Sequence, residues 1–190
     1  PVSTDPIDPT TNWNLAASPT ERIHFLIQGY ANALVAGADR IAIYNMRSFL
    51  REDIAYPILR LCMKYLKNTY SQRATKTPDR YGPYMQTSRQ MVRIDIPGPG
   101  FITTVIYNLS PEAQFIQADF QTVSENTVPG IYKVGTEGDE QRLQPGFQTF
   151  GFGGATAHLE AWGKEIYSIG GGTTMYRYPD GYRLVTPTIV

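Results

Sequence analysis

The chain has 190 residues, seventeen of them Lys or Arg and seventeen Asp or Glu, for a formal net charge of zero. That length suits one domain carrying an arm, and 42% apolar with 12% aromatic residues exclude wholesale disorder, because they suffice to fill a core. The single cysteine, Cys62, excludes an internal disulfide, no Cys/His cluster offers a metal site, and no apolar run approaches the roughly 20 residues that cross a bilayer.

Residues 1–17 hold three prolines among Ser, Thr, Asp and Asn. Fixed φ angles and missing amide hydrogens predict an extended arm there. Its apolar anchors, Trp13 and Leu15, are expected to dock on the chain's own body or on a neighbour. Residues 18–190 are expected to form a single α+β domain: a helical part over 18–70, a basic loop over 71–89 and a β-rich part over 90–190.

Ser18-Pro19-Thr20-Glu21 has the form of a capping box with proline at the first helical position. Ile23, Phe25, Leu26, Ile27, Tyr30, Ala33, Leu34 and Val35 follow at mostly helical spacing, so a helix is predicted over about 19–36, stopping at Gly37. A second helical stripe runs from about 46 to 70 through Met46, Phe49, Leu50, Ile54, Ile58, Leu61, Cys62, Tyr65 and Leu66, with Pro57 expected to bend or divide it. Arg47, Arg51, Arg60, Lys64 and Lys67 occupy its polar side. Residues 71–89, broken by Pro78, Gly82 and Pro83, read as a long loop.

The period then changes to two. Met91–Ile96 alternates, Pro97-Gly98-Pro99-Gly100 turns the chain, and Phe101–Tyr107 is β-branched and apolar, predicting a strand, a turn and a strand. A helical turn followed by a strand is expected over Pro111–Phe120, a short strand over Gly130–Val134 and a loop over Gly135–Gln144. Beyond Gln148 the chain is rich in glycine and aromatic residues, with a helical turn expected near Ala155–Trp162. Lys164–Ile169, Thr173–Tyr178 and Tyr182–Val185 read as strands, joined by turns at Gly170–Gly172 and Pro179–Gly181. The mainly antiparallel sheet therefore falls in the C-terminal half.

Charge is unevenly distributed. Residues 1–38 carry −2, residues 39–93 carry +7 with eleven basic groups, and residues 94–190 carry −5. Such asymmetry points to polyanion binding or to contact between oppositely charged regions or copies, against the plainer reading that the stretches neutralise one another within one fold. In the basic stretch, Arg47, Arg51, Arg60, Lys64, Lys67, Arg73, Lys76, Arg80 and Arg89 are candidate phosphate contacts, and Tyr81 and Tyr84 candidate stacking platforms for unpaired bases. Trp13, Leu15, Phe150 and Phe152 are candidate assembly contacts.

Catalytic patterns are thin. A nucleophilic set would need His24 or His158, the latter beside Glu160, and Cys62 on an apolar stripe reads as packing. The glycine groups at 151–154 and 170–172 match no phosphate cradle and read better as turns or as backbone approaching backbone. Glu137, Asp139 and Glu140 lack calcium-loop spacing, and Asn108-Leu109-Ser110 is read as a chance glycosylation triplet. No cofactor is expected.

These features together favour a non-enzymatic, self-assembling coat or shell subunit. Its expected partners are copies of itself and, through the 40–93 segment, RNA or single-stranded DNA. With no signal peptide, membrane span or disulfide partner expected, its setting would be cytoplasm or virion. A monomeric single-strand nucleic-acid-binding module is one alternative, and a small enzyme using His158 and Glu160 is another.

Overall fold

A computed structural model describes residues 19–38, 40–42, 55–66, 91–98, 100–125, 130–134, 139–154, 156–159, 165–169 and 171–186. Helix α1 spans Pro19–Val35 and α2 Ala55–Tyr65. The strands are β1 (Met91–Gly98), β2 (Phe101–Asn108), β3 (Gln114–Thr122), β4 (Ile131–Val134), β5 (Glu140–Leu143), β6 (Gly146–Phe152), β7 (Thr156–Leu159), β8 (Glu165–Ile169), β9 (Gly171–Pro179) and β10 (Tyr182–Val185). Helices first and antiparallel sheets after make an α+β fold, as the change of hydrophobic period predicts.

Helix α1 begins at Pro19, where the missing amide hydrogen has no helical partner to lose. It ends in a Schellman motif: Ala38 N donates to Ala33 O at 3.0 Å and Gly37 N to Leu34 O at 3.0 Å. Gly37 adopts φ +88°, a left-handed conformation that a Cβ would penalise. In α2, Pro57 sits in the first turn, where its missing amide hydrogen costs no helical bond; the part of the expected stripe before residue 55 lies outside the described residues. The helix closes at Tyr65 rather than near 70, its last bond running from Leu66 N to Cys62 O at 2.8 Å. Residues 43–54 and 67–90, including the whole of the predicted basic loop at 71–89, lie outside the described residues, as do residues 1–18, which hold the predicted arm.

Three layers result. The central one is a five-stranded antiparallel sheet in the order β1-β2-β9-β4-β5. On one side, Ile23, Ile27 and Ala31 of α1 and Ile58, Leu61, Cys62 and Tyr65 of α2 pack on Val92, Ile94, Ile96, Val105, Tyr107, Val134 and Met175. On the other side lies a three-stranded sheet, β10-β3-β6, whose Ala118, Phe120, Phe152, Tyr182 and Leu184 meet Met91, Ile102, Ile106, Ile131, Tyr176 and Tyr178. Alternation along each central strand thus feeds two cores, and each large apolar side chain buried there contributes about 1.5–3 kcal/mol. Phe120 stands edge-on to Tyr176 and Tyr178, with centroids 6.0 and 5.5 Å apart. Polar pins join α1 to the sheet: Gln28 Nε2 donates to Thr173 Oγ1 at 2.8 Å, and Asn32 Nδ2 to the Tyr107 hydroxyl at 3.0 Å.

Several expectations change in three dimensions. Glu140–Leu143, expected as loop, forms edge strand β5 against β4, and Thr156–Leu159, expected as a helical turn, forms β7 in a separate two-stranded sheet with β8. Pro179-Asp180-Gly181 is not a hairpin turn, because β9 and β10 belong to different sheets. It is a corner carrying the chain from the central sheet to the outer one. Gly171 and Gly172, expected in a turn, open β9.

A second corner joins β2 to β3. Asn108 is fully buried there; its Nδ2 donates to Glu112 O at 2.7 Å and Gly153 O at 3.0 Å, while Ser110 N donates to its Oδ1 at 2.9 Å. Both amide hydrogens are committed, so the Asn-Leu-Ser triplet offers no glycosylation acceptor in this fold. Backbone meets backbone at this corner, since a Cβ on Gly154 would overlap Pro111 O and one on Gly172 would overlap Gly153 N. Gly154→Ala is therefore expected to lower stability by at least about 1–3 kcal/mol, read as a reduced denaturant midpoint with unchanged slope. A midpoint matching the wild type would contradict this close approach.

Candidate functional site

On α2, the inward stripe leaves Tyr56, Arg60, Met63 and Lys64 exposed. Lys64 Nζ lies 3.1 Å from Glu140 Oε1 and 4.6 Å from the Tyr65 ring centroid, and the Tyr65 hydroxyl donates to the same carboxylate oxygen. Glu140, expected in a solvated acidic loop, is thus the β5 residue that receives a cation from the basic stretch. Arg177 on β9 lies over Phe101 at 4.5 Å and Tyr65 at 5.2 Å. Arg47, Arg51, Lys67, Arg73, Lys76, Arg80, Tyr81, Tyr84 and Arg89 lie outside the described residues, so among the described ones only Arg60 and Lys64 of the predicted phosphate contacts are placed.

Arg93 does not belong to a cationic surface. It and Asp95 are 4% and 6% exposed, on the β1 face turned toward the three-stranded sheet. Arg93 Nε donates to Asp95 Oδ1 at 2.9 Å and Nη1 to Leu184 O at 2.5 Å. Thr104 Oγ1 donates to Asp95 Oδ1 at 2.6 Å and lies 2.8 Å from the Tyr178 hydroxyl. Since the threonine's one hydrogen goes to the carboxylate, the tyrosine must be the donor to Thr104. Burial, reinforced by the Asp95 charge, raises the Tyr178 hydroxyl pKa above its ordinary value.

No catalytic grouping emerges among the described residues. His24 is on α1 and His158 on β7, while Glu160 lies outside the described residues. Cys62 is fully buried in the helix–sheet core and its thiol is pushed up to about 12, the behaviour of a packing residue. Among the described residues no three His, Cys, Asp or Glu side chains cluster as metal ligands, and no helix is long and apolar enough to cross a membrane.

The outer face of the three-stranded sheet is a feature that the sequence pattern does not announce. Ala118 and Phe120 of β3 point into the core, so Phe115, Gln117, Asp119 and Gln121 point away from it. Across the ladder, Phe115 is opposite Gly151, Gln117 opposite Thr149, Asp119 opposite Phe147 and Val185, and Gln121 opposite Arg183. Phe115 is 72% exposed and Phe147 76%, and Val123 just beyond β3 is 53% exposed. Glycine at 151 makes room for the Phe115 ring, which would lie 3.0 Å from a Cβ placed there. Arg183 Nη2 donates to Gln121 Oε1 at 2.5 Å, and Gln121 Nε2 to Asp119 Oδ2 at 2.9 Å, so a polar rung crosses this face beside the rings.

The expected assembly contacts divide. Phe152 is 2% exposed and fills the core between the sheets, so it offers no surface to a neighbour. Phe150 lies on β6 in register with Ile116, and Trp13 and Leu15 lie outside the described residues. The alternation Phe115, Gln117, Asp119, Gln121 is itself a period-two signal, masked by the helix-like opening of the segment at Pro111.

Asp95→Asn keeps the shape of the buried pair and removes its anion, so it is expected to cost about 3–5 kcal/mol by stranding a buried guanidinium; a loss below about 1 kcal/mol in chemical denaturation would contradict the buried pair. The raised Tyr178 hydroxyl stabilises the fold fully below its ordinary value near 10, where both states are neutral. Above that the unfolded chain ionises first and stability falls as pH rises. Tyr178→Phe is expected to flatten this alkaline decline in pH-dependent unfolding, and an equally steep decline would count against it.

Compared with known proteins, the chain matches no family model, no curated protein and no solved structure.

Proposed function

We propose that this chain is a non-enzymatic structural subunit that assembles with copies of itself, of the coat or shell type. The observation that carries the reading is the outer face of the three-stranded sheet, where Phe115 and Phe147 stand more than 70% exposed on regular strands. The two rings lie on one rigid face, four residues apart along the ladder with Gln117 and Thr149 between them, and apolar side chains exposed on such a face are candidate contacts. A pair of rings on strands, rather than on a loop, is preorganised, so little conformational entropy is lost on docking. The −5 balance of the C-terminal half and the +7 balance of the 39–93 stretch add a second source of attraction between copies.

Light scattering at low and high salt tests the reading. Species heavier than the 21.3 kDa chain, growing with concentration, are expected. A monodisperse monomer at both salts and at high concentration would contradict it.

Contact of the 40–93 segment with nucleic acid forms part of the same proposal, supported by Arg60 and Lys64 on the exposed side of α2. Binding to single-stranded RNA should weaken steeply with salt and fall when Arg60, Lys64 and Lys67 are all replaced by Glu. Binding that is absent, or indifferent to salt, would remove this part and leave the self-assembly reading standing.

A further inference from the structure

We infer that the outer face of β10-β3-β6 is a two-fold contact between copies of this chain, in which Asp119 of each copy meets Arg183 of the other. This rests on the self-assembly reading above and names its surface and geometry. Among the described residues the face carries one carboxylate, Asp119, and one guanidinium, Arg183, on adjacent strands and one rung apart. Gln121 bridges them and holds both charges in place. In a two-fold face-to-face contact the same patch meets itself, so residue i touches j and j touches i. A patch with one charge of each sign can then satisfy both twice, whereas nucleic acid or an anionic surface would meet Asp119 as well as Arg183 and gain nothing. The charge layout thus selects a second copy as the occupant.

The apolar residues fit the same operation. An in-plane two-fold axis that sets Asp119 opposite Arg183 lies near Val185 and Gln121, and it carries Phe147 toward the end of β3, where Val123 is exposed. Phe147 of each copy thereby finds the exposed Val123 of the other, while Phe115, four residues before Asp119 on β3, lies outside this contact.

Area sets the strength. Strands of nine, seven and four residues, at ~3.4 Å per residue and about 4.8 Å apart, make a face of about 330 Å². A standard stable interface takes about 800 Å² from each partner. This contact is therefore less than half of what a free-standing dimer needs, and it suits one of several weak contacts that an assembly sums.

The test uses the full chain and two variants, Asp119→Arg and Arg183→Asp, with circular dichroism confirming that each folds. Sedimentation equilibrium of the wild type is expected to show weak association that grows with concentration. Each variant alone should be monomeric, its dissociation constant raised at least about tenfold by two like-charge encounters. Mixed one to one, the variants should associate with each other. The two substituted side chains then face one another with opposite charges, and the unchanged Arg183 of the first variant faces the unchanged Asp119 of the second. No intramolecular role of these residues produces that complementation. Phe147→Ser, at an exposed position, should weaken association independently of charge.

Variants that associate like the wild type, or fail to complement on mixing, overturn this contact while leaving the self-assembly reading intact. Association unchanged in both variants but lost on removal of residues 1–18 overturns it too and assigns the contact to that segment. A monomeric wild type at every concentration overturns both proposals.

Discussion

Coverage of the five-stranded sheet on both faces is the constraint from which the rest of this structure follows. Its strands β1, β2 and β9 have almost no solvent side, so most of their residues must suit one core or the other. Apolar and aromatic side chains meet that demand by packing. A charged side chain meets it only by being paired inside, which is how Arg93 and Asp95 coexist between the sheets, with Thr104, Leu184 O and Tyr178 completing their hydrogen bonds. The same constraint sets the corners. Strands that cross from one sheet to the other bring backbones into van der Waals contact, which is why glycine stands at 154 and 172 and a buried Asn108 ties three segments.

The charge asymmetry of the chain takes a different meaning in this frame. Lys64 of the basic stretch pairs with Glu140 of the acidic one, and Arg93 is neutralised within β1. Part of the +7 balance is therefore compensated inside the fold, as the plainer reading of the sequence holds. An exposed pair such as Lys64–Glu140 adds at most about 1 kcal/mol, so its consequence is to orient the β4–β5 edge against α2 rather than to hold the fold together. In the proposed assembly, attraction between copies would rest on apolar surface with a few ordered charges, and the three-stranded sheet carries both.

Helix α1 is legible in the sequence because its signals are local: a proline-containing cap, an apolar period and a stop glycine lie within one stretch of chain. The β1–β2 hairpin is legible for the same reason. What stays hidden depends on distant partners. Glu140–Leu143 has one apolar residue and becomes a strand only because β4 is beside it, and β4 in turn is held by β9, some forty residues on. Alternation in Met91–Ile96 looks the same whether its charged side faces water or a second sheet, so the buried pair leaves no trace in the pattern. Of the expected assembly contacts, Phe152 is core, whereas Phe115 and Phe147, two of the same residue type, are exposed because of the side of the strand on which they fall.

Hydrogen exchange measured residue by residue at low and at high protein concentration tests this account most directly. Amides of β1, β2 and β9 should be the slowest at either concentration, because only global unfolding exposes a doubly covered sheet, and the protection gained on concentrating the protein should fall within 114–122, 146–152 and 182–185. Fast exchange in β1, β2 and β9, or added protection confined to α1 and α2, would contradict it.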